Sequence, residues 1–278
     1  MLLKWVGSKR RLCKKLIPFI PPLHGGRYIE AMAGGAALFF FMHAKRPVLN
    51  DSNRDLINCY TCVRDSLSEV WTYLEPLGDA FSIDPETVYS EARKRFNETD
   101  RCDVERAALM LFLNRTCFNG LWRVNKKGHF NSPIGRSAKS EYYTFSDAYY
   151  TSIEVASRKL ETAELWCLDV EQALMKAHKG DFVYLDPPYI PISKTSSFVD
   201  FTKEGFSEAD QRRLAEAARG LVDRGVKVLI SNSDTPLTRD LYQGFHIHEI
   251  SAPRSVGASG STRKKVSELL LTGGYSLG

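Results

Sequence analysis

The sequence predicts an α/β fold in which one helical block interrupts the alternation of strands and helices. Short apolar runs of strand length alternate with helical periodicity in the first and last parts of the chain. A glycine-containing turn at 33–36 joins the first predicted strand to the first predicted helix, as in open sheets that bind ligands at the carboxyl ends of their strands. We therefore expect one α/β domain formed by residues 1–57 and 145–278, with a helical insert at 58–144.

The first strand–turn–helix unit is followed by an acidic residue at the tip of the second strand. The pattern predicts strands at 27–30 and 47–50, with a helix at 37–44 between them. Asp51 follows the second strand directly and lies 16 residues after Gly35. A carboxylate in this place can hydrogen-bond ribose hydroxyls, so the unit indicates a cofactor-binding turn.

The insert contains a basic loop that suits a DNA duplex. Residues 115–139 include six basic residues and no acidic one, together with asparagines and helix-breaking Gly and Pro. Cations can contact phosphates, Asn and Arg can read base edges, and the rings of Phe118, Trp122 and Phe130 can wedge between base steps. A solvated basic loop is the alternative interpretation. Amphipathic spacing predicts helices at 53–74, 85–97 and 103–113.

The alternation resumes after the insert and ends in a predicted antiparallel pair of strands. Ser207 and Asp210 have the spacing of a capping box that opens a helix. The predicted helices lie at 146–163, 171–178, 207–223 and 235–243, and the predicted strands at 165–169, 182–186, 226–231, 246–250 and 266–271.

The composition is that of an ordinary globular protein, with 43% hydrophobic and 26% charged residues. No apolar run reaches the length of a membrane span, and the amino terminus lacks a secretory pattern. Six scattered cysteines indicate reduced thiols and a cytoplasmic location. Cys59 and Cys62 form a C-x-x-C without a second pair, and the histidines lack ligand spacing, so we predict no metal site. The net charge of +5 favours an anionic partner.

The most informative motif is Asp186-Pro187-Pro188-Tyr189, which directly follows a buried strand. The prolines lack N–H groups and turn the chain rigidly out of the sheet, which leaves its carbonyls free to accept hydrogen bonds. An ionised carboxylate accepts from an exocyclic amine, and a tyrosine ring offers a face on which a base can stack. The motif therefore predicts a pocket for a flat, amine-bearing ring, with a strand ending in a tight turn as the alternative.

The same four residues resemble the catalytic motif of amino-methyltransferases, and further motifs resemble those of Dam-type DNA adenine-N6 methyltransferases of the D12 class. Several motifs in one fixed order are far more specific than any single motif. Those present are Lys4-Trp5-Val6-Gly7-Ser8-Lys9, the glycine turn, Leu49-Asn50-Asp51-x-Asn53, Phe118-Asn119-Gly120-Leu121-x-Arg123-x-Asn125, Phe130-Asn131-x-Pro133-x-Gly135-Arg136, Asp186 to Tyr189 and Thr262-Arg263-Lys264-Lys265-Val266.

The resemblance implies a Rossmann-like methyltransferase fold with a seven-stranded mixed sheet and an inserted helical DNA-recognition domain. It implies a site-specific enzyme that moves a methyl group from S-adenosylmethionine to a flipped-out adenine N6 in double-stranded DNA, in GATC. Asp186, the Pro187 carbonyl and Tyr189 would be catalytic, acting by orientation and electrostatics rather than through a covalent intermediate. The implied cofactor contacts are Trp5, Lys9, Glu30, Ala33, Gly35, Asp51 and Asp186.

For target recognition, the resemblance implies that Arg123 contacts guanine and that Leu121 and Pro133 contact the methyl group of thymine. Phe118 would enter the base stack, although a buried core position is the alternative. Ser137-Ala138 depart from the tyrosine and basic residue of close relatives, which makes recognition of the first base of GATC less secure. The full set of implied DNA contacts is Lys4, Phe118, Asn119, Leu121, Arg123, Asn125, Pro133 and Arg136.

Other classes remain open at this point. A nicotinamide-dependent dehydrogenase would share the glycine turn and Asp51 but would not need Asp186 to Tyr189 or the basic insert. A DNA-binding protein without catalysis would keep the insert but should have lost Asp186 or Tyr189. Methylation of cytosine N4 or of a protein glutamine is the runner-up among methyltransferases. We expect a monomer in solution that acts on double-stranded DNA and not at a membrane, while a cognate restriction enzyme stays open.

Overall fold

The computed structural model describes residues 2–135, 145–190, 206–253 and 265–277, and a seven-stranded sheet forms its centre. The strands are β1 (Tyr28–Glu30), β2 (Pro47–Asn50), β3 (Glu164–Trp166), β4 (Phe182–Leu185), β5 (Lys227–Ser233), β6 (His246–Pro253) and β7 (Lys265–Gly273). They lie in the order β3-β2-β1-β4-β5-β7-β6. Neighbours from β3 to β5 are parallel, whereas β7 is antiparallel to both β5 and β6. The predicted α/β class and seven-stranded mixed sheet are confirmed.

Helices pack against the sheet and form most of the described chain between β2 and β3. The α-helices of the described residues are α1 (Cys13–Leu16), α2 (Ala37–Phe41), α3 (Arg54–Asp65), α4 (Leu67–Ile83), α5 (Pro85–Glu98), α6 (Val104–Thr116), α7 (Asp147–Leu160), α8 (Val170–Met175), α9 (Glu208–Asp223) and α10 (Pro236–Leu241). The predicted capping box is present, because Asp210 N–H donates to Ser207 Oγ and Ser207 N–H donates to Asp210 Oδ2. In the described ranges, none of these helices is long and apolar enough to cross a membrane.

The strand order reverses between β1 and β4, which are parallel neighbours in the sheet. Their register pairs Glu30 with Tyr184, so both strands end at the same edge of the sheet. The glycine turn after β1 and Asp186 after β4 therefore leave the sheet side by side. Open α/β sheets bind ligands in the crevice at such a reversal point, which makes this edge the first place to look for a site.

The single helix predicted at 53–74 is wrong, since the structure has two helices that meet at Ser66. Ser66 has φ −144° and ψ 41°, which are not helical values. Its N–H donates to the carbonyl of Cys62, and this is the last hydrogen bond of α3. α4 then continues past Pro76 to Ile83. Apolar residues keep helical spacing on both sides of the break, so periodicity alone does not reveal the change of direction.

The helices of the predicted insert share a hydrophobic core with one face of the sheet. Tyr60 of α3 and Phe112 of α6 are fully buried in the same cluster as Tyr28 of β1 and Phe182 of β4. The predicted boundary at residue 57 falls inside α3, whose residues contact both α6 and β3. The described part of 58–144 contains helices and two isolated β-bridges but no named strand. The division into two domains stays a prediction.

Candidate active site

Asp186 leaves the sheet at the end of β4, a strand that is buried along its whole length. Its Oδ1 lies 2.8 Å from Lys9 Nζ and accepts a hydrogen bond of 2.6 Å from Ser231 Oγ. No described residue donates to Oδ2, and the side chain is 19% exposed. The carboxylate therefore has one oxygen fixed by the protein and one oxygen available to a ligand.

Lys9 links this carboxylate to the aromatic ring of the same motif. Its ammonium group donates to the Gly7 carbonyl at 3.0 Å and lies 4.3 Å from the centre of the Tyr189 ring. Lys9 is buried, so the ion pair with Asp186 and the contact with the ring both act in a partly desolvated place. Two predicted catalytic residues and one predicted cofactor contact thus meet at a single point.

In the turn after Asp186, some carbonyl groups accept hydrogen bonds from described side chains and one does not. Gln211 Nε2 donates to the Pro188 carbonyl at 2.6 Å, and Ser233 Oγ donates to the Ile190 carbonyl at 2.6 Å. Among the described residues, none donates to the carbonyl of Pro187. Within the described part of the chain, the Pro187 carbonyl therefore remains available to a ligand next to Asp186.

Tyr189 is held at its far end by a carboxylate from the antiparallel part of the sheet. Its hydroxyl donates to Glu268 Oε2 of β7 at 2.7 Å. Burial raises the pKa of Tyr189 well above its usual value, and the nearby Asp186 and Glu268 carboxylates add to this. Burial also raises the pKa of Glu268, while Lys9 and the Tyr189 hydroxyl act in the opposite direction. The ring is fixed at both ends, by the turn that carries it and by Glu268.

The glycine turn after β1 is tied to the end of β2 through Asp51. Gly34 N–H donates to Asp51 Oδ2 and Asn53 N–H donates to Asp51 Oδ1, each at 2.9 Å. Gly34 has φ 47° and Ala36 has φ 46°. Glycine adopts this left-handed backbone conformation more readily than alanine does. Burial raises the pKa of Asp51, and these two N–H groups oppose the shift. Asp51 therefore shapes the turn as well as facing it.

Trp5 covers the glycine turn from outside the sheet. A Cβ atom at Gly34 would lie 2.8 Å from Trp5 Cδ1, and one at Gly35 would lie 2.9 Å from Trp5 Cβ. Only glycine permits this approach. Trp5 also stacks on Trp122 with ring centres 6.3 Å apart. The structure thus brings Trp5, Gly35 and the adjoining Ala33 together beside Asp51, as the predicted cofactor contacts require.

Glu30 is the predicted cofactor contact with the clearest structural partners. It is buried, and its Oε1 accepts from the Tyr28 hydroxyl at 2.7 Å and from Phe39 N–H at 2.6 Å. Burial raises the pKa of Glu30 to about 7. These bonds join β1 to α2 on both sides of the glycine turn, and a direct contact with a cofactor stays a prediction.

The aromatic rings of the basic loop differ in exposure. Phe118 is 39% exposed, whereas Trp122 and Phe130 are 2% and 1% exposed and pack with ring centres 4.4 Å apart. The alternative of a buried core position for Phe118 is therefore wrong. The prediction that Trp122 and Phe130 wedge between base steps is also wrong, because both rings are part of the hydrophobic core. Asn119, with φ 54°, forms the turn that exposes Phe118.

Two predicted DNA contacts have partners within the loop. Arg123 is exposed, and its Nε donates to Asn131 Oδ1 at 2.9 Å. Asn125 Oδ1 accepts from the backbone N–H groups of Lys127 and His129, at 2.8 and 3.1 Å, and so holds the turn of the loop. The other predicted contacts of this loop are the half-buried Leu121, the exposed Asn119 and Pro133, and Arg136, which lies outside the described residues.

The amino-terminal segment connects this loop to the rest of the site. Lys4 N–H donates to Asn114 Oδ1 and Asn114 Nδ2 donates to the Lys4 carbonyl, each at 2.8 Å. A Cβ atom at Gly120 would lie 2.5 Å from Lys4 Cβ, so Lys4 packs directly on the loop. Trp5 packs on the glycine turn and Lys9 pairs with Asp186. Residues 4–9 therefore contact the basic loop, the glycine turn and the Asp186 motif.

Four residues that support the site were not predicted from the sequence: Asn114, Gln211, Ser231 and Glu268. Only Ser231 had a sequence pattern that could have indicated its role. It is the last residue of a predicted buried strand and begins the polar run Ser231-Asn232-Ser233. The contacts of the others join elements far apart in the chain. Among the described residues, no group of three or more His, Cys, Asp or Glu side chains is placed to hold a metal ion.

Comparison with known proteins gives one consistent family. The family model of the D12 class N6 adenine-specific DNA methyltransferases matches residues 5–256. The Type II methyltransferase M1.LlaDCHI of Lactococcus lactis subsp. cremoris is 39% identical, over 97% of this chain and 93% of its own length. The Type II methyltransferase M.MjaIII of Methanocaldococcus jannaschii is 37% identical, over 97% of both chains. The DNA adenine methylase of Escherichia coli K12 is 37% identical, over 96% of this chain and 93% of its own.

Proposed function

The chain belongs to the D12 class of N6 adenine-specific DNA methyltransferases, and from this premise we propose that it transfers a methyl group from S-adenosylmethionine to the N6 of an adenine flipped out of double-stranded DNA. We propose GATC as its preferred target. The observation that carries the proposal is a pair of acceptors, Asp186 Oδ2 and the Pro187 carbonyl, which lie beside the Tyr189 ring and receive no hydrogen bond from the residues that the structure describes.

These two acceptors match the two hydrogens of an exocyclic amine. When Asp186 Oδ2 and the Pro187 carbonyl each accept one N6 hydrogen, the nitrogen lone pair is drawn out of conjugation with the ring and becomes available for methylation. The amine then attacks in a fixed orientation, which supplies much of the rate enhancement without a covalent bond to the protein. The transfer would break the bond between the methyl group and the sulfonium sulfur and release S-adenosylhomocysteine. The methylated, positively charged nitrogen would then lose a proton to solvent, so no separate general base is required for the transfer.

Tyr189 provides the face on which the flipped adenine stacks. Alanine substitutions at comparable sites indicate that such a contact contributes about 1–3 kcal/mol per base. Lys9 Nζ lies 4.3 Å from the centre of this ring and 2.8 Å from Asp186 Oδ1, so it holds one carboxylate oxygen and leaves Oδ2 to face the base.

The residues around the glycine turn suit S-adenosylmethionine. Asp51 stands at the tip of β2 beside the turn, where a carboxylate can accept from ribose hydroxyls in addition to the N–H groups of Gly34 and Asn53. The Trp5 indole forms an apolar wall over the same turn. When bound, S-adenosylmethionine supplies the electrophilic methyl group.

The loop that follows α6 is proposed to read the DNA. Arg123 is exposed and has donors beyond its bond to Asn131, so it can contact a guanine edge. Phe118 is exposed and can enter the base stack near the flipped adenine. Leu121 and Pro133 would contact thymine methyl groups, and Lys4, which packs on Gly120, and the exposed Asn119 would contact the same duplex. We propose a cytoplasmic enzyme that is a monomer in solution and acts on double-stranded DNA.

The proposal is tested by incubating the protein with labelled S-adenosylmethionine and a GATC duplex, followed by nucleoside analysis. We expect label in N6-methyl-2′-deoxyadenosine only, and much less of it in a duplex whose target adenine is replaced. Label in N4-methylcytosine, or in a protein substrate with none in DNA, would reject adenine as the acceptor and GATC as the target. Matched duplexes with a single change at each position measure target preference.

A further inference from the structure

Ser231 is the direct cross-strand neighbour of Asp186. β4 and β5 are parallel, and their last matched pair is Leu185 with Ile230. Ser231 is the next residue of β5 and Asp186 is the first residue after β4, and by the alternation of side chains both lie on the face that also carries Tyr184. The strand register, and not a flexible loop, therefore brings the Ser231 hydroxyl to the carboxylate.

A chain of two hydroxyl groups ends on one carboxylate oxygen. Ser231 Oγ donates to Asp186 Oδ1 at 2.6 Å, and because Ser231 uses its only proton there, the Tyr184 hydroxyl donates to Ser231 Oγ at 3.0 Å. Ser231 and Tyr184 are 0% and 3% exposed, so water does not compete for these bonds. Burial and the nearby Asp186 carboxylate raise the pKa of Tyr184, which keeps its proton on the hydroxyl as the donor.

We propose that Ser231, supported by Tyr184, is a positioning residue that fixes the Asp186 carboxylate so that Oδ2 faces the adenine amine. This inference rests on the proposed function. Lys9 also contacts Oδ1, but its ammonium ends a flexible four-carbon stem, whereas serine has a single side-chain torsion and belongs to the sheet. Ser231 therefore sets the plane of the carboxylate, and Lys9 supplies charge.

The substitution Ser231→Ala removes the hydroxyl and leaves the strand. A lost hydrogen bond to a charged group predicts a fall in kcat of roughly 10- to 100-fold. The KM values for duplex and for S-adenosylmethionine should stay within about twofold, because Ser231 acts through Asp186 and not on a substrate. Tyr184→Phe removes only the second donor, so we expect a smaller fall in kcat of roughly two- to tenfold.

Thr272→Val is the matched control, since it removes a buried hydroxyl from β7 of the same sheet. Thr272 hydrogen-bonds to His248 and pairs with Leu229, so it lies on the strand beyond β5 and two register positions before Ser231, and it makes no hydrogen bond to Asp186. This variant should keep the kcat of the unmodified protein. A duplex with 2-aminopurine at the target position reports base flipping, and its fluorescence increase should be equal in Ser231→Ala and the unmodified protein, because stacking on Tyr189 is unchanged.

The outcomes separate the two proposals. If the unmodified protein forms no N6-methyl-2′-deoxyadenosine, the proposed function fails. If it is active and Ser231→Ala has the same kcat, or loses activity only through a higher KM, the positioning role is overturned. Thermal unfolding of each variant checks that it is folded; should Ser231→Ala not fold, an unchanged kcat in Tyr184→Phe overturns the inference by itself.

Discussion

Lys9 Nζ lies 2.8 Å from Asp186 Oδ1, although Lys9 begins a short 3-10 helix near the amino terminus and Asp186 follows β4. This ion pair joins the amino-terminal segment to the turn that carries Tyr189. The same segment packs through Trp5 on the glycine turn and through Lys4 on the basic loop. Residues 4–9 therefore contact the glycine turn, the basic loop and Asp186.

Asp186→Ala is expected to abolish methylation, because the adenine amine loses its charged acceptor. Asp186→Asn keeps the shape but offers a weaker, neutral acceptor, and we expect a loss of at least about 100-fold in kcat. Both variants should still bind duplex DNA in a gel-shift assay, which serves as the control for folding. Full activity in Asp186→Ala would refute the mechanism.

Tyr189→Ala should lower turnover strongly by removing the stacking face, whereas Tyr189→Phe and Tyr189→Trp should be milder. The phenylalanine variant loses only the hydrogen bond to Glu268, which we expect to lower kcat by less than about tenfold. Single-turnover rates on one duplex compare the three variants. The reverse order, with Tyr189→Phe as inactive as Tyr189→Ala, would mean that the hydroxyl and not the ring is required.

Asp51→Ala should weaken S-adenosylmethionine binding more than DNA binding. The variant loses the proposed ribose acceptor and leaves the N–H groups of Gly34 and Asn53 without their partner. The expected loss is about 1–3 kcal/mol of cofactor affinity, measured by isothermal titration calorimetry. Asp51→Asn keeps an acceptor for one N–H group and is the intermediate control. An unchanged cofactor affinity would mean that Asp51 only accepts hydrogen bonds from the turn and does not contact the cofactor.

Arg123→Ala should relax discrimination at one guanine rather than weaken binding evenly. A bidentate base contact contributes about 1–3 kcal/mol at its own position, whereas a phosphate contact affects all sequences alike. Methylation rates on GATC duplexes with single changes at each position give the readout. Lys127→Ala, on the same loop, is the matched control and should slow all duplexes by one factor. If Arg123→Ala also slows all duplexes by one factor, Arg123 contacts only the DNA backbone.

The same duplexes test the unmodified protein. Changes at the first base of GATC should be tolerated better than changes at the adenine.

Glu30 should make stability depend on pH. Its pKa is raised from 4.5 to about 7, so the folded protein keeps a proton that the unfolded chain has already lost above pH 4.5. This contribution is fully present below that pH and is lost as the pH rises through about 7. Relative to Glu30→Gln, the unfolding free energy should fall between pH 5 and 8 by an amount on the order of 3 kcal/mol. Urea unfolding of both proteins measures it, and parallel curves would contradict the prediction.

The sequence by itself determined the family, the fold class and the places where the main elements begin. Strands with apolar runs, the glycine turn and the Asp186 motif are local patterns, and each is recognisable because it depends on residues next to one another. The strand ends were predicted to within a few residues at β1, β2 and β4 for the same reason. The proposed roles of Asp186, Tyr189 and Asp51 also derive from such local motifs.

Tertiary structure alone decided which side chains support these motifs and which aromatic rings remain exposed. Ser231 reaches Asp186 through the register of two strands, and Glu268 reaches Tyr189 from an antiparallel strand near the end of the chain. Phe118 is exposed while Trp122, four residues later, is in the core. Burial and contact across strands depend on how distant segments pack, and neither is encoded in the spacing of neighbouring residues.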